Sequence, residues 1–330
     1  MINQLKYALI YGVIALNTAN AETIFHEDFD GLPDWHPPAE VEGCNDPSCA
    51  ANMPAAWNYY RVDELWHPNT DGAGFHPSIQ VSGTNFHGPS GKGFTVYNES
   101  NVGRGGDGWG SDGILAKDLG KDYDEIYVGV HIKFMPGFKW HIYDNGQGSA
   151  VKLLRFYHWD RQGSPFKYFT SGHSAPIYIF DAAKSPYGFR QIHSFRCDPQ
   201  ETNYYCTHGK DSGSVYDGAP TFEQLMGDNG WHYLEWRAKM NSAPGAKDGI
   251  LEFWVDGKLQ FSRQDQQWLG ESSPGGIGWN TVAIGGNAYN QYAPPEEQKE
   301  QWYAFDNLKV STTREGIISP PMAPSDPTID

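Results

Sequence analysis

Trp231 to Asn241 (WHYLEWRAKMN) and Gly249 to Phe261 (GILEFWVDGKLQF) decide the fold. Both runs alternate large and small, or apolar and polar, residues with a period of two. That spacing sends successive side chains to opposite faces of a strand. The link between them, Asn241 to Asp248, is short and holds Pro and Gly. The two runs therefore predict paired antiparallel strands. Asp256-Gly257 marks a tight turn into a further short strand.

The rest of the chain agrees. Its 330 residues include 38 Gly and 22 Pro, and 15% are aromatic. This composition suits many short strands joined by turns. Ile126 to Phe134 is a clear strand, with Ile126, Val128, Val130, Ile132 and Phe134 on one face and Tyr127, His131 and Lys133 on the other. Val151 to Trp159 is another, in which strict alternation puts Lys152 and His158 on one face and Arg155 on the other. Glu22 to Asp30, Ile177 to Phe180, Phe189 to Phe195, Thr281 to Ile284 and Trp302 to Val310 complete the set. Gly31 to Gly93 shows little periodicity and reads as long loops with short strands. The expected architecture is all-β: a two-sheet antiparallel jelly-roll sandwich.

The formal charge of −16 argues against a nucleic-acid partner. Met1 to Ala21 reads as a secretory signal peptide: Lys6, an apolar run from Tyr7 to Leu16, then Ala19-Asn20-Ala21 as a cleavage site. The run is too short to span a membrane. A secreted or periplasmic monomer follows as the expectation, with the domain over 22–315 and a Pro-rich tail over 316–330. Four cysteines suit an oxidising compartment. Local pairing, Cys44 with Cys49 and Cys197 with Cys206, is one of three possibilities. A four-cysteine zinc site competes, but the second pair lacks the usual spacing.

The two opening runs carry a tryptophan-to-asparagine strand followed by G-x-x-x-x-W-x-D-G-K. This pattern resembles the back-to-back strands of the concanavalin A-like jelly-roll superfamily, which includes lectins, glycoside hydrolases and polysaccharide lyases. The resemblance implies a sugar polymer as ligand. Within it, the aromatic residues Trp35, Trp57, Tyr59, Tyr60 and Trp66 serve either to stack on sugar rings or to pack the loops onto the sandwich.

Charge narrows the ligand. From His131 to Arg196 there are nine Lys or Arg against three acids, and five histidines besides. A basic sector on so acidic a chain is a candidate anion site. On a sugar-binding sandwich the natural anion is a uronic acid polymer. The alternative is that these residues scatter over both sheet faces and pair with acids elsewhere.

Gln191-Ile192-His193 resembles the Q-I-H strand of jelly-roll alginate lyases, and Ala288-Tyr289-Asn290-Gln291 the end of that family's tyrosine-bearing strand. The resemblance implies β-elimination, with His193 as base, Tyr289 as acid, and Gln191 with Arg155 or Lys152 on the substrate carboxylate. His131, Lys133, His158, Arg190 and Gln291 are the expected substrate contacts. The family's early R-x-E-x-R strand is not evident. Lys152 in AVKLLRF also resembles the central-strand lysine of other uronate lyases, those of glucuronan and of a second alginate-lyase family. A lectin-like protein would use the same face without catalysis. Hydrolysis is the third reading. It needs two carboxylates about 5 Å apart in retaining enzymes; no E-x-D-x-(x)-E strand occurs, leaving only Glu235 and Glu252. A structural Ca²⁺ between first and last strands is a further expectation of the superfamily, with Glu27, Asp28 or Asp30, and Asp306 as ligands.

Overall fold

The computed structural model describes residues 22–37, 53–61, 66–68, 75–77, 79–98, 112–138, 150–166, 176–183, 189–194, 226–271, 273–287 and 301–318. The expected signal peptide, all four cysteines, Tyr289 and Gln291 lie outside these residues.

The strands form two large antiparallel sheets. The first has eight strands. Its order is β14 (Lys258–Gln266), β13 (Gly249–Val255), β12 (His232–Lys239), β8 (Glu125–Phe134), β16 (Gln301–Ser311), β6 (Gly93–Asn98) and β5 (Ile79–Ser82), with β1 (Thr23–Glu27) also on β16. The second has six: β11 (Phe189–Ser194), β10 (Ile177–Ala183), β9 (Ala150–Tyr157), β15 (Trp279–Asn287), β7 (Asp112–Tyr123) and β2 (Tyr59–Arg61). A small ribbon pairs β3 (Trp66–Pro68) with β4 (Phe75–Pro77). This is the expected two-sheet jelly roll. No helix among the described residues is long and apolar enough to cross a membrane.

The opening runs are β12 and β13, paired in register from Leu234 with Val255 to Lys239 with Ile250. Leu234, Trp236, Ala238, Leu251, Phe253 and Val255 are buried between the sheets. The turn to β14 has φ of 49° at Asp256 and 74° at Gly257. Positive φ at both central residues is what a two-residue hairpin with native twist requires, and Asp-Gly supplies it.

Aromatic rings join the sheets. Trp236 of β12 lies 5.0 Å from Phe180 of β10, and its indole Nε1 donates to Tyr178 Oη at 3.1 Å. Within the six-stranded sheet Trp279 of β15 meets Phe156 of β9 at 5.1 Å, and it also meets Trp268, which follows β14, at 4.9 Å. Each such ring, fully buried, contributes roughly 1.5–3 kcal/mol. Trp57 and Tyr60 belong to this core, and Trp35 packs edge-on to Tyr60 at 5.5 Å. These three therefore pack the early segment onto the sandwich.

The chain alternates between the sheets. β8 belongs to the eight-stranded sheet and β9, next in sequence, to the six-stranded one. This crossing divides the basic sector.

Candidate functional site

The site builds on the outer face of the six-stranded sheet. In β9, Leu154 pairs with Phe180 and Lys152 with Asp181, so Leu153 is an extra residue. Leu153 and Leu154 both enter the core. A bulge of this kind flips the alternation of everything beyond it. Strict alternation separated Lys152 from Arg155. The bulge instead sets both on the outer face, where Asp181 and Ile179 are their partners in β10.

Arg155 is 2% exposed and reaches across the sheet, its Nη1 donating to Gly285 O at 2.7 Å. The neighbouring strand must be glycine there. A Cβ on Gly286 would stand 2.6 Å from Arg155 Nη2 and 2.7 Å from Lys152 O. Asp181, 1% exposed, faces Lys152 on one side and Arg190 on the other in register. At the far edge, Arg61 pairs with Ile114, which pairs with Gly285. Arg61, Lys152, Arg155 and Arg190 thus lie at one end of this face, with Asp181 among them and Asp112 at the end of β7. Sequence reading missed Arg61 and Asp181. The only signal for Arg61 was the Tyr-Tyr-Arg alternation of a three-residue strand.

Gln191 and His193 do share a face of β11. Their register partners are Phe180 and Tyr178, whose rings lie in the core. The positions of β11 opposite Asp181, Ile179 and Ile177 are Arg190, Ile192 and Ser194.

The other end of the face is apolar: Tyr157, Trp159, Phe166, Ile177, Ile179 and Ala283 are buried together, with Tyr59 against Trp159 at 5.2 Å. His158 is here, but it is buried. Its Nδ1 lies 3.2 Å from Gly278 O and from Asn280 Nδ2, and 3.5 Å from Asp122. Asn280 ties the same corner, its Nδ2 donating to Asp122 at 2.6 Å and to Trp159 O at 2.9 Å. His158 thus braces a strand end and is not grouped with Lys152. Arg161 is held by both oxygens of Asp118 at 2.9 Å, which raises its already high proton affinity.

His131 and Lys133 are on the outer face of the opposite sheet, a correction to their grouping with the basic site. His131 stacks on His87 at 3.8 Å. Burial foremost, then the His87 and Lys309 charges, pushes its pKa down to about 3, so it is neutral at ordinary pH. On this same sheet Glu235, 2% exposed, accepts both Arg314 Nε at 2.9 Å and Nη2 at 3.2 Å. Glu252 is held by Arg237, Ser262 and Gln264. The two carboxylates considered for hydrolysis are locked in ion pairs and hydrogen bonds. Arg314 also covers Trp254 at 4.4 Å, and Tyr233 Oη donates to Ile317 O. Ile317 is fully buried, so the docked chain runs past residue 315.

For calcium, Asp306 is the informative residue. Burial, then the charges of Asp30 and Asp28, raises its pKa to about 7, although His87 N and Asn307 N donate to it at 2.7 and 2.6 Å. Glu27 instead accepts Phe29 N at 2.7 Å, with burial raising its pKa and Trp57 and Lys117 near it. No group of three or more His, Cys, Asp or Glu placed to hold a metal ion occurs among the described residues. As they stand, Glu27, Asp28 and Asp306 do not make a ligand set.

No protein-family model matches the chain, and no curated protein matches it. Solved structures do resemble it. Alginate lyase vAL-1 from Chlorella virus superposes with a TM-score of 0.51 at 15% identity, over 83% of this chain and 100% of that one. Endo-β-1,4-glucuronan lyase from the fungus Trichoderma reesei gives 0.45 at 9% identity, over 85% and 98%. An endo-acting O-glycanase structure from the human gut microbiota gives 0.43 at 12%, over 88% and 99%. The first likeness shows the fold: this chain shares the jelly-roll architecture of that structure.

Proposed function

We propose that the protein is a polysaccharide lyase that cleaves a uronate-containing polymer, such as alginate or glucuronan, by β-elimination. The observation that carries this reading is the bulge in β9, which gathers Lys152 and Arg155 beside Asp181 and Arg190 on one sheet face. In elimination a base takes the proton from C5, its electron pair forms the C4=C5 bond, and the C4–O bond breaks with a proton delivered to the leaving oxygen. The C5 proton is acidic enough only when the adjacent carboxylate is neutralised. Lys152, half-buried, is the cation offered to that carboxylate. Arg155 anchors to Gly285 behind it. The register favours Lys152 over His193 and Gln191 as the group presented to substrate. Tyr289 is the proposed acid; His193 is kept as base on the sequence resemblance alone, since its register sets it on the face of β11 opposite Arg190, and His193→Ala tests it.

The test follows ultraviolet absorbance from the new double bond on alginate, glucuronan, pectate and a neutral glucan. Absorbance should rise on one acidic polymer, fall at least a hundredfold in Lys152→Ala, and stay flat on the glucan. Reducing ends without absorbance would mean hydrolysis. Retention on an immobilised polymer with no cleavage would mean a lectin-like protein, the second reading, which the same cationic face supports. The structural calcium ion expected at Glu27, Asp28 or Asp30, and Asp306 would require these carboxylates to move together, since they do not form a ligand set as they stand. A melting temperature unmoved by calcium or chelator would remove it.

A further inference from the structure

The cations on the six-stranded sheet are spaced across the strands. Lys152 and Arg155 sit on β9, a central strand. Arg190 is two strands away on β11, and Arg61 is three strands away on β2 at the opposite edge. Register ties them into one band: Arg61 to Ile114, Ile114 to Gly285, Gly285 to the Arg155 guanidinium, Lys152 to Asp181, Asp181 to Arg190. Neighbouring strands are about 4.8 Å apart, so Arg61 lies about 14 Å from β9 and Arg190 about 10 Å on the other side. A 1,4-linked pyranose advances by close to one strand spacing. A polymer lying across the strands therefore places about one sugar over each.

We propose that Arg61 forms a distal subsite that takes a uronate carboxylate about three sugar units from the sugar over Lys152. The proposal rests on the acidic-polymer reading above. With cations on both sides of the centre, the band holds an internal stretch of chain, so the enzyme cuts within the polymer. Arginine suits this place because its planar fork takes a carboxylate with two parallel hydrogen bonds.

The experiment compares wild type, Arg61→Gln and Arg61→Lys on oligouronides from trimer to octamer. For wild type, kcat/KM should climb with length and level off once the chain spans the band. Arg61→Gln should lower kcat/KM for the octamer about tenfold, through KM, and leave the trimer unchanged. Arg61→Lys should recover part of the loss. Equal loss on short and long substrates, or none on either, would overturn the subsite. If wild type eliminates nothing, calorimetry with the same trimer and octamer decides separately. A preference for the octamer that Arg61→Gln removes would keep the subsite while the lyase reading falls. Equal binding of both lengths, or none, would overturn the subsite too.

Discussion

The outer faces of the two sheets are both rich in charge, yet they are built differently. On the eight-stranded sheet several carboxylates are matched locally. Glu125 and Glu252 flank Arg237, Glu235 is forked by Arg314, and Asp228 and Asp256 hold His232 from either side. Each charge there secures a strand or the segment that crosses the sheet. On the six-stranded sheet, Arg61, Lys152, Arg155 and Arg190 gather at one end, where Asp181 and Asp112 are the carboxylates of the strands. Charge balanced pair by pair secures structure; a cluster in which cations outnumber the carboxylates beside them is a candidate site for a counter-ion. The fold alone does not make this distinction, because both faces belong to the same sandwich.

The comparison breaks first at Lys152. Lys152→Ala should lower elimination at least a hundredfold, as loss of one preorganised charge typically does, with the melting temperature little changed. An equal loss of activity in Lys133→Ala, on the opposite sheet, would show that the two faces are not distinct.

Arg314→Ala should do the reverse. It leaves the buried Glu235 carboxylate without its cation and uncovers Trp254. Breaking a fully buried pair costs about 3–5 kcal/mol; with Arg314 partly exposed, roughly 2 kcal/mol is expected. Denaturant unfolding reads the loss, and activity per folded molecule should hold. Lost activity in the folded fraction would tie this face to catalysis.

A smaller effect is written in pH. His131 has its pKa pushed down to about 3, so the unfolded chain takes up a proton that the folded one refuses. Its contribution is complete above the ordinary histidine value of about 6.5 and is lost as pH falls below it, by up to about 2 kcal/mol at pH 5. Asp306, raised to about 7, acts oppositely: its contribution is complete below the ordinary carboxylate range and is lost as pH rises towards 7. The two slopes offset each other in mild acid. His131→Phe should therefore leave a protein that gains stability on acidification from pH 7 to pH 5. An unchanged pH profile would show that His131 is not held neutral.

Much of this architecture can be read from spacing. Ile126 to Phe134 and the runs at Trp231 and Gly249 repeat every second residue because one face of each strand is buried. The same logic failed at Leu153-Leu154. Two adjacent leucines look alike whether the strand alternates or bulges, and the bulge is what places Lys152 beside Arg155. Arg61 was hidden for a different reason. Its strand has three residues, too few for a period to show, and its role comes from pairing with Ile114, more than fifty residues later. Nor could the sequence separate Lys133 from Lys152. Both lie in one basic sector, and only the passage of the chain from one sheet to the other parts them.

That separation is also the most direct test. Lys152→Glu and Lys133→Glu reverse one half-buried charge on each face, and calorimetry can read the binding of the acidic polymer proposed as substrate. Loss of binding in Lys152→Glu with wild-type affinity in Lys133→Glu is the predicted result. Equal loss in both, or loss in Lys133→Glu alone, would contradict the placement of the site on the six-stranded sheet.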